Sequence, residues 1–197
     1  MRKLSFSLLG LVVLILILFG LTISINFINT RSFNTEDFID RAKHYNFKII
    51  RDTFGVPHII GEKDVDAAFG FGFAQTEDDY QHIDFAVKMA RGELSDLKIS
   101  LGSLGAVFSL ITGDGDIEKL TNYIEGVELD FLNKFMNVEG IVRNYKNTIP
   151  KQTMEYIKGY ADGVNYWAAL NPSKVDQSMF PVTEMDLLKG MVFQMPL

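Results

Sequence analysis

No cysteine occurs among the 197 residues, which excludes a disulfide framework and a metal site built on thiolates. Positive charge is also scarce. The 19 lysines and arginines stand against 25 aspartates and glutamates, giving a formal net charge of −6. An acidic chain is repelled by a phosphate backbone, so nucleic acid is not an expected partner. The content of 47% hydrophobic and 22% charged residues is that of a folded protein.

Familiar catalytic patterns are missing as well. The serines of the Gly-rich middle region stand outside any Gly-x-Ser-x-Gly elbow, and the three histidines show neither a triad order nor a ligand spacing. These residues are Ser95, Ser100, Ser103, Ser109, His44, His58 and His82. We therefore predict no catalytic residue on this chain, and we interpret His58 as a histidine that hydrogen bonds hold beside a turn.

Two ligand-binding motifs are present only in part. Gly70-Phe71-Gly72 lacks the third glycine of a dinucleotide fingerprint, so we reject nucleotide binding. Four acidic residues approach the spacing of a calcium loop, but Lys119 occupies the position where an EF-hand needs glycine. The four are Asp114, Asp116, Glu118 and Glu125. The sequence predicts a surface loop there, with no metal ligand and no cofactor on this chain.

One long apolar run begins close to the amino terminus. Arg2 and Lys3 precede an uncharged segment from Leu4 to Ile28, which is the pattern of an export signal. Its length would also span a bilayer, and Thr22 and Ser24 make a poor cleavage site, so both a cleaved signal peptide and an inner-membrane anchor stay open. Either way, the sequence predicts a periplasmic or extracellular location.

The sequence divides into three parts. Residues 1–28 are the signal peptide or signal anchor, and residues 29–46 are a polar tether with a short helix capped by Asn34 or Thr35. Residues 47–197 form the folded part, which opens with a hairpin of two short strands. We predict an α+β, predominantly helical fold.

Apolar residues three and four positions apart predict four helices in the folded part. The first is long, with Asp64 as its cap and Gly92 near its end. The others lie around Leu120 to Phe135, from Pro150 to Asn171, and after Thr183, which has capping-box spacing to an aspartate.

Glycine pairs inside two of these helices predict close contact with a neighbouring backbone, since each glycine weakens a helix by about 1 kcal/mol. The pairs are Gly70 with Gly72 and Gly159 with Gly163.

Acidic residues in the first helix are expected to form a solvated face, because consecutive carboxylates point around a helix. They are Glu77, Asp78, Asp79 and Asp84. Asn165 is expected to be a buried amide that backbone groups satisfy.

Three blocks in a fixed order resemble a known family. Arg51-Asp52-Thr53-Phe54-Gly55-Val56-Pro57-His58-Ile59 resembles the N-terminal signature of the penicillin acylase family, in the N-terminal nucleophile hydrolase superfamily. The segment Asp66 to Asp78 is similar to the family's glycine-rich acidic block, and Gly159 to Asn165 to its Gly-Tyr-Ala block. The segment Asp130 to Phe135 resembles the acyl-homoserine lactone acylase branch, with Lys134 in place of an arginine.

The resemblance implies the α-chain portion of an αββα hydrolase that is incomplete without its β chain. In the family a precursor cuts itself and exposes a serine at the start of the β chain, whose hydroxyl attacks an amide carbonyl with its own α-amino group as base. The implied partners are that missing β chain and an acyl-amide substrate, either an acyl-homoserine lactone or a β-lactam amide. Hydrolysis by this chain alone is not expected.

The last helix resembles the α-chain segment that reaches the acyl pocket. Met195 is its best positional match, and Met191 and Phe193 follow, although core packing is the more common role for residues of this kind. The apolar run continues to Leu197 without a stop signal, so we expect a truncated chain that exposes apolar surface. The alternative is a membrane-tethered, non-catalytic binding module or a decayed gene fragment that retains the helical half of the fold.

Overall fold

The computed structural model describes residues 33–95 and 117–194, with the backbone alone for residues 117–125 and 194. In chain order the elements are α1 (Thr35–Ala42), β1 (Phe47–Arg51), β2 (Pro57–Gly61), α2 (Asp64–Asp78), α3 (Tyr80–Arg91), α4 (Ile117–Phe135), α5 (Val138–Tyr145), α6 (Lys151–Leu170) and α7 (Glu184–Gln194). Short 3-10 turns lie at Lys146–Thr148 and Gln177–Met179. The predicted α+β, predominantly helical class is confirmed.

Two of the sequence predictions fall on residues that the structure leaves undescribed. The apolar run from Leu4 to Ile28 lies outside the described residues, as do Asp114 and Asp116 of the calcium-like spacing. Within residues 33–95 and 117–194, no helix combines the length and the apolar character that a membrane crossing requires.

The predicted hairpin forms from β1 and β2, which pair in antiparallel register with Ile49 opposite Ile59. Its inner face lies on α2, where the side chains of Phe47 and Ile59 approach Gly70. A Cβ on Gly70 would lie 2.7 Å from Ile59 Cγ2, so glycine is what admits the strand to the helix. The sheet is therefore fixed to the first long helical segment.

The turn of the hairpin is built by the charged and glycine residues of the signature. Asp52 Oδ1 accepts the backbone N–H groups of Phe54 at 2.8 Å and of Val56 at 3.0 Å. Gly55 has a φ of +82°, a conformation that favours glycine. His58 Nε2 lies 3.4 Å from Asp52 Oδ2 with an exposed ring, in agreement with its predicted place beside a turn.

The single helix predicted from Asp64 to Gly92 is wrong, because the chain breaks at Asp79 into α2 and α3. Asp79 has φ −149° and ψ 72°, and its carboxylate accepts the N–H of His82 at 3.1 Å. A short acidic side chain competes for backbone N–H groups and so starts a new helix here. Gly92 ends α3 as predicted, in the left-handed conformation with φ +67°.

Helices α2 and α6 cross through backbone contact, as the glycine pairs predicted. A Cβ built on Gly72 would lie 2.2 Å from the carbonyl oxygen of Tyr160, and one on Gly163 would lie 2.0 Å from that of Phe69. Contacts that short leave no room for a methyl group. This crossing forms the centre of the fold, since α6 also contacts α1 and α7.

One core cluster lies between α3, α6 and the segment before α7. Its buried members are Ile83, Val87, Val164, Ala168, Met179, Phe180 and Val182. Phe33, from the predicted tether, packs against this cluster and lies 5.1 Å from the ring of Phe180. Burial of these side chains stabilises the segment that leads into α7.

A buried carboxylate attaches α1 and its following turn to α6. Asp162 accepts the hydroxyl of Tyr45 at 2.7 Å and the ammonium of Lys158, and Arg41 Nη1 lies 3.7 Å away. Burial raises the pKa of Tyr45 far above its ordinary value, and the bond to the Asp162 carboxylate adds to the shift. The tyrosine therefore stays a hydrogen-bond donor throughout the physiological pH range.

Candidate functional site

Two of the three candidate pocket residues, Met191 and Phe193, lie near the end of α7. Phe193 is completely buried, whereas Met191 is 51% exposed and therefore stands at the surface of the helix. Met195 lies outside the described residues. Met191 and Phe193 are two residues apart and therefore lie on opposite faces of α7, with Phe193 packed inward and Met191 at the surface.

The start of α7 is fixed by the predicted capping box. Asp186 Oδ2 accepts the backbone N–H of Thr183 at 2.8 Å and its hydroxyl at 2.7 Å, and Thr183 Oγ1 accepts the N–H of Asp186 at 3.3 Å. This reciprocal arrangement satisfies N–H groups that a helix start leaves without partners. The aspartate performs the role that glutamate has in the usual box.

Arg91, at the end of α3, forms a two-point ion pair with Asp186. Nε and Nη2 donate to the two carboxylate oxygens, each at 2.8 Å, and both side chains are nearly inaccessible to solvent. The same guanidinium donates to the carbonyl oxygens of Met179 at 2.6 Å and Pro181 at 2.9 Å. One side chain therefore connects α3, the segment before α7, and α7 itself.

Sequence reasoning did not identify Arg91 as part of this site. The signal was present, since Arg91 follows Val87 by four residues on a face of α3 whose other members are buried apolar residues. A cation at a core position requires a buried partner.

Burial alone would raise the pKa of Asp186, but the hydrogen bonds and charge of Arg91 and the bonds from Thr183 outweigh that effect and hold it below its ordinary value of 3.8. The folded state then binds this proton less tightly than the unfolded state does. The contribution to stability is complete above the unfolded pKa and is lost as the pH falls through the folded one.

We expect the free energy of unfolding to be lower near pH 3 than near neutral pH, because below about pH 4 the unfolded chain takes up a proton at Asp186 that the folded chain binds less tightly. Glu139 acts in the same direction, since bonds to Arg143 and Lys189 lower its pKa. Denaturant unfolding followed by circular dichroism across this range measures the effect. An equal or higher free energy of unfolding in acid would contradict the expectation.

Asn165 fixes the same segment from the side of α6. Its side-chain amide donates to the carbonyl oxygen of Val182 at 2.7 Å, and its oxygen accepts the N–H of Val182 at 2.8 Å. Both residues are buried. The prediction of a buried amide satisfied by backbone groups is confirmed.

Replacing Asn165 with leucine is expected to lower the free energy of unfolding by about 2 kcal/mol, because it leaves the N–H and C=O of Val182 buried without these partners. Asn171→Leu is the matched control. The Asn171 amide donates to Trp167 O at 3.0 Å, at the end of α6. Water can reach that end of the helix, so we expect a change within about 0.5 kcal/mol. Similar losses in the two variants would contradict the assignment.

The signature hairpin makes a second polar site, on the outside of α2. Arg51 donates to Glu77 at 2.5 Å, to Asp78 at 2.7 Å and to the carbonyl oxygen of Gly55 at 2.8 Å. Both carboxylates are exposed, as predicted for a solvated face, and they also hold the turn to the helix. Asp84 departs from the prediction, since it is half-buried and accepts Lys88 at 2.8 Å.

Two polar residues of the segment Asp130 to Phe135, Asp130 and Asn133, are buried. Asp130 accepts the N–H groups of Leu94 and Ser95 at 2.9 and 2.8 Å, and the Ser95 hydroxyl at 2.5 Å. Asn133 Nδ2 donates to the carbonyl oxygen of Met89 at 2.9 Å, at the end of α3. These two side chains close the end of α3, which carries Arg91, while Lys134 is exposed.

A site for metal is not found in the described part of the chain, where no group of three or more His, Asp or Glu side chains could hold an ion. Two described serine hydroxyls are bound to carboxylates. The Ser95 hydroxyl donates to Asp130, and the Ser178 hydroxyl donates to Asp176 at 2.6 Å.

Comparison with known proteins gives a family and a fold. A sequence model of the penicillin amidase family matches residues 46–191. Among the matching solved structures is the thermostable penicillin G acylase from Alcaligenes faecalis in tetragonal form, with a TM-score of 0.54 and 18% identity over 77% of this chain and 72% of that chain. At that identity the likeness establishes the fold. No curated protein gives a significant sequence match.

Proposed function

Because the chain belongs to the penicillin amidase family, we propose that it is the α segment of an amidohydrolase precursor that cleaves amide-linked acyl groups. The observation that carries the proposal is the extent of the family match. Residues 46–191 include the signature hairpin, the crossing of α2 and α6, and α7 as far as Met191. The agreement therefore extends over the elements that build and orient the candidate site.

The nucleophile is proposed to lie on a β segment, as a serine whose own α-amino group is the base. On this chain the described hydroxyls of Ser95 and Ser178 are already bound to carboxylates. The proposed role of the α segment is therefore to position helices against the catalytic segment, and no cofactor is required for this reaction.

The acyl pocket is proposed to receive Met191, Phe193 and Met195 from this chain. The exposed side chain of Met191 supports this, since a flexible thioether at the surface adapts to apolar acyl groups. Phe193 would contribute by supporting the pocket wall from within the core. The resemblance of Asp130 to Phe135 favours acyl-homoserine lactones over β-lactam amides as the substrate class.

The location is proposed to be periplasmic or extracellular. The support is Arg2 and Lys3 followed by the uncharged run from Leu4 to Ile28, which would export the chain and either be removed or remain as an anchor. Fractionation of cells that produce the full chain tests this: we expect it in the periplasm or the inner membrane, and recovery from the cytosol would contradict the proposal.

The test of function begins with the DNA that follows the codon for Leu197. A frame that encodes a β segment beginning with serine supports the enzyme, and the two segments are then produced together. We expect hydrolysis of acyl-homoserine lactones and of acyl p-nitroanilides by the pair, and none by this chain alone. The matched control is the same pair with the first serine of the β segment replaced by alanine, which should be inactive. Hydrolysis by the isolated chain would contradict the proposal that the nucleophile lies on the β segment.

Met191→Ala tests the pocket in that active pair. Because Met191 is half exposed, we expect the melting temperature to change little, while KM for long acyl chains rises several-fold and KM for short ones stays the same. Val127→Ala, at an exposed apolar position on α4, is the control and should change neither. A uniform loss of activity on all acyl lengths would argue against a pocket role.

A stop codon after Leu197 with no β segment would favour the non-catalytic binding module.

A further inference from the structure

Two exposed phenylalanines form a pair on the outside of α4. Phe131 is 67% exposed and Phe135 is 76% exposed, and their stacked rings have centroids 5.9 Å apart. The two residues are four positions apart, so they stand on one face of the helix. Asp130 and Asn133, which contact α3 and the residues that follow it, belong to another face. The phenylalanine pair is therefore apolar surface that the contact with α3 leaves open.

The phenylalanine pair is too small to hold a second copy of the chain. A phenylalanine side chain has about 200 Å² of surface, so the two exposed rings offer roughly 300 Å². A stable dimer buries about 800 Å² on each partner. An occupant that is already connected to the chain avoids the loss of translational and rotational freedom that association costs, so a small apolar contact is sufficient for it.

One segment of the chain begins and ends on α4. Asp130, the residue before the phenylalanine pair, accepts the N–H of Ser95 at 2.8 Å and its hydroxyl at 2.5 Å. The chain returns at Ile117, the first residue of α4. That residue lies about 20 Å from Asp130 along the helix, at about 1.5 Å per residue. Between these two points are residues 96–116, which lie outside the described residues. Their extended length is about 70 Å, so the phenylalanine pair is within their reach.

The composition of this segment suits an apolar surface. The run from Ile99 to Thr112 contains no charged residue, and eight of its 14 residues are Ala, Val, Ile, Leu or Phe. Transfer of such side chains from water to an apolar surface is favourable. The run therefore needs an apolar partner, and its two ends keep it close to one.

We propose that the run from Ile99 to Thr112 packs over Phe131 and Phe135 and is the occupant of this face of α4. The contact gives α4 a second support, in addition to the polar contacts of Asp130 with the end of α3. The proposal concerns the packing of this chain alone and does not depend on the proposed function.

The test uses engineered thiols, because the chain contains no cysteine of its own. The full chain in detergent micelles is treated with a charged thiol reagent, and the rate of modification of Phe131→Cys is measured. Each rate is divided by that of the same variant in urea, which removes differences in thiol reactivity. Phe54→Cys is the matched control, because Phe54 is 90% exposed on the hairpin. We expect Phe131→Cys to react about tenfold more slowly than Phe54→Cys, since the run protects it.

A change in the run itself supplies the second part of the test. Phe108→Ser/Ile111→Ser, introduced into the Phe131→Cys chain, should raise its rate to within about twofold of Phe54→Cys. Ala168→Cys, which is buried in the core, should stay slow in the same background. Fast modification of Ala168→Cys would mean that the double change unfolds the chain. In that case Phe108→Ser alone is used, and it should raise the rate of Phe131→Cys several-fold.

Two results would overturn the proposal. Equal rates for Phe131→Cys and Phe54→Cys, with the run unchanged, would mean that nothing covers the phenylalanine pair. Slow modification of Phe131→Cys that persists after Phe108→Ser would mean that something else covers it. A rate that then rises on dilution would identify a second copy of the chain, and a rate that rises when the detergent is exchanged would identify the micelle.

Discussion

Replacing Gly163 with alanine is expected to lower the free energy of unfolding by about 3 kcal/mol or more, which is the upper range for adding a methyl group to a full core. The added Cβ would lie 2.0 Å from the carbonyl oxygen of Phe69 and 3.0 Å from the backbone nitrogen of Phe73. These are backbone atoms within α2, so no side-chain rotation relieves the contact. The two helices would have to separate along their crossing.

Gly190→Ala is the matched control for this substitution. Gly190 also lies inside a helix, but a Cβ there would be 3.7 Å from Ala90 Cβ, an ordinary contact. Without a clash, alanine is expected to stabilise the helix by about 0.5 to 1 kcal/mol. Chemical denaturation of both variants measures the contrast. A Gly163→Ala variant as stable as the unmodified chain would mean that α2 and α6 do not cross in the way described.

The single substitution Arg91→Leu is expected to cost about 3 to 5 kcal/mol, the range for removing one partner of a buried ion pair. Asp186 would keep its bonds from Thr183 but would lose both bonds from the guanidinium. The carbonyl oxygens of Met179 and Pro181 would lose their donors as well. A buried carboxylate without a counter-charge is far less stable than an apolar side chain in the same place.

The control for this prediction is Lys189→Leu, which also removes a cation paired with a carboxylate. Its partner Glu139 is half exposed and remains hydrated, so we expect a loss below about 1 kcal/mol. Equilibrium unfolding in urea compares the two. Equal effects from Arg91→Leu and Lys189→Leu would show that burial does not set the cost, contrary to the geometry of the pair.

Much of the local structure could be predicted from the sequence because short-range rules decide it. The hairpin follows from the turn chemistry of Asp52 and Gly55, and the end of α3 follows from Gly92. The capping box of α7 follows from the spacing of Thr183 and Asp186. Each feature involves residues within a few positions of one another, so their contact in the folded protein can be predicted from their spacing in the chain.

The errors have a common cause in competition between short-range and long-range interactions. Asp79 was assigned to a continuous helix because apolar periodicity runs through it, whereas its side chain caps the next helix. Glu77 and Asp78 are exposed as predicted, but the sequence did not predict that Arg51 reaches them from the hairpin. Periodicity describes which face is apolar, and it contains no information about a partner that folds onto the polar face.

The candidate site shows the same division. The sequence pointed to α7 and to Met191 and Phe193 through a resemblance, but it could not say that Phe193 is buried and Met191 exposed. That difference depends on how α7 packs on α3, α5 and α6. The position of Met195 in the site stays a prediction.

The sequence by itself determined the helical class, the hairpin, the glycine contacts and the family. Each of these depends on residues that are close together in the chain or on motifs that follow one another in a fixed order. The tertiary structure decided which polar side chains enter the core and with whom. Arg91 and Asp186 are 95 residues apart, and Tyr45 and Asp162 are 117 apart. A charged side chain is buried only where packing brings a partner of opposite charge next to it. The interaction energy of such a pair depends on the distance between the two groups and on their loss of hydration, and a local sequence pattern specifies neither.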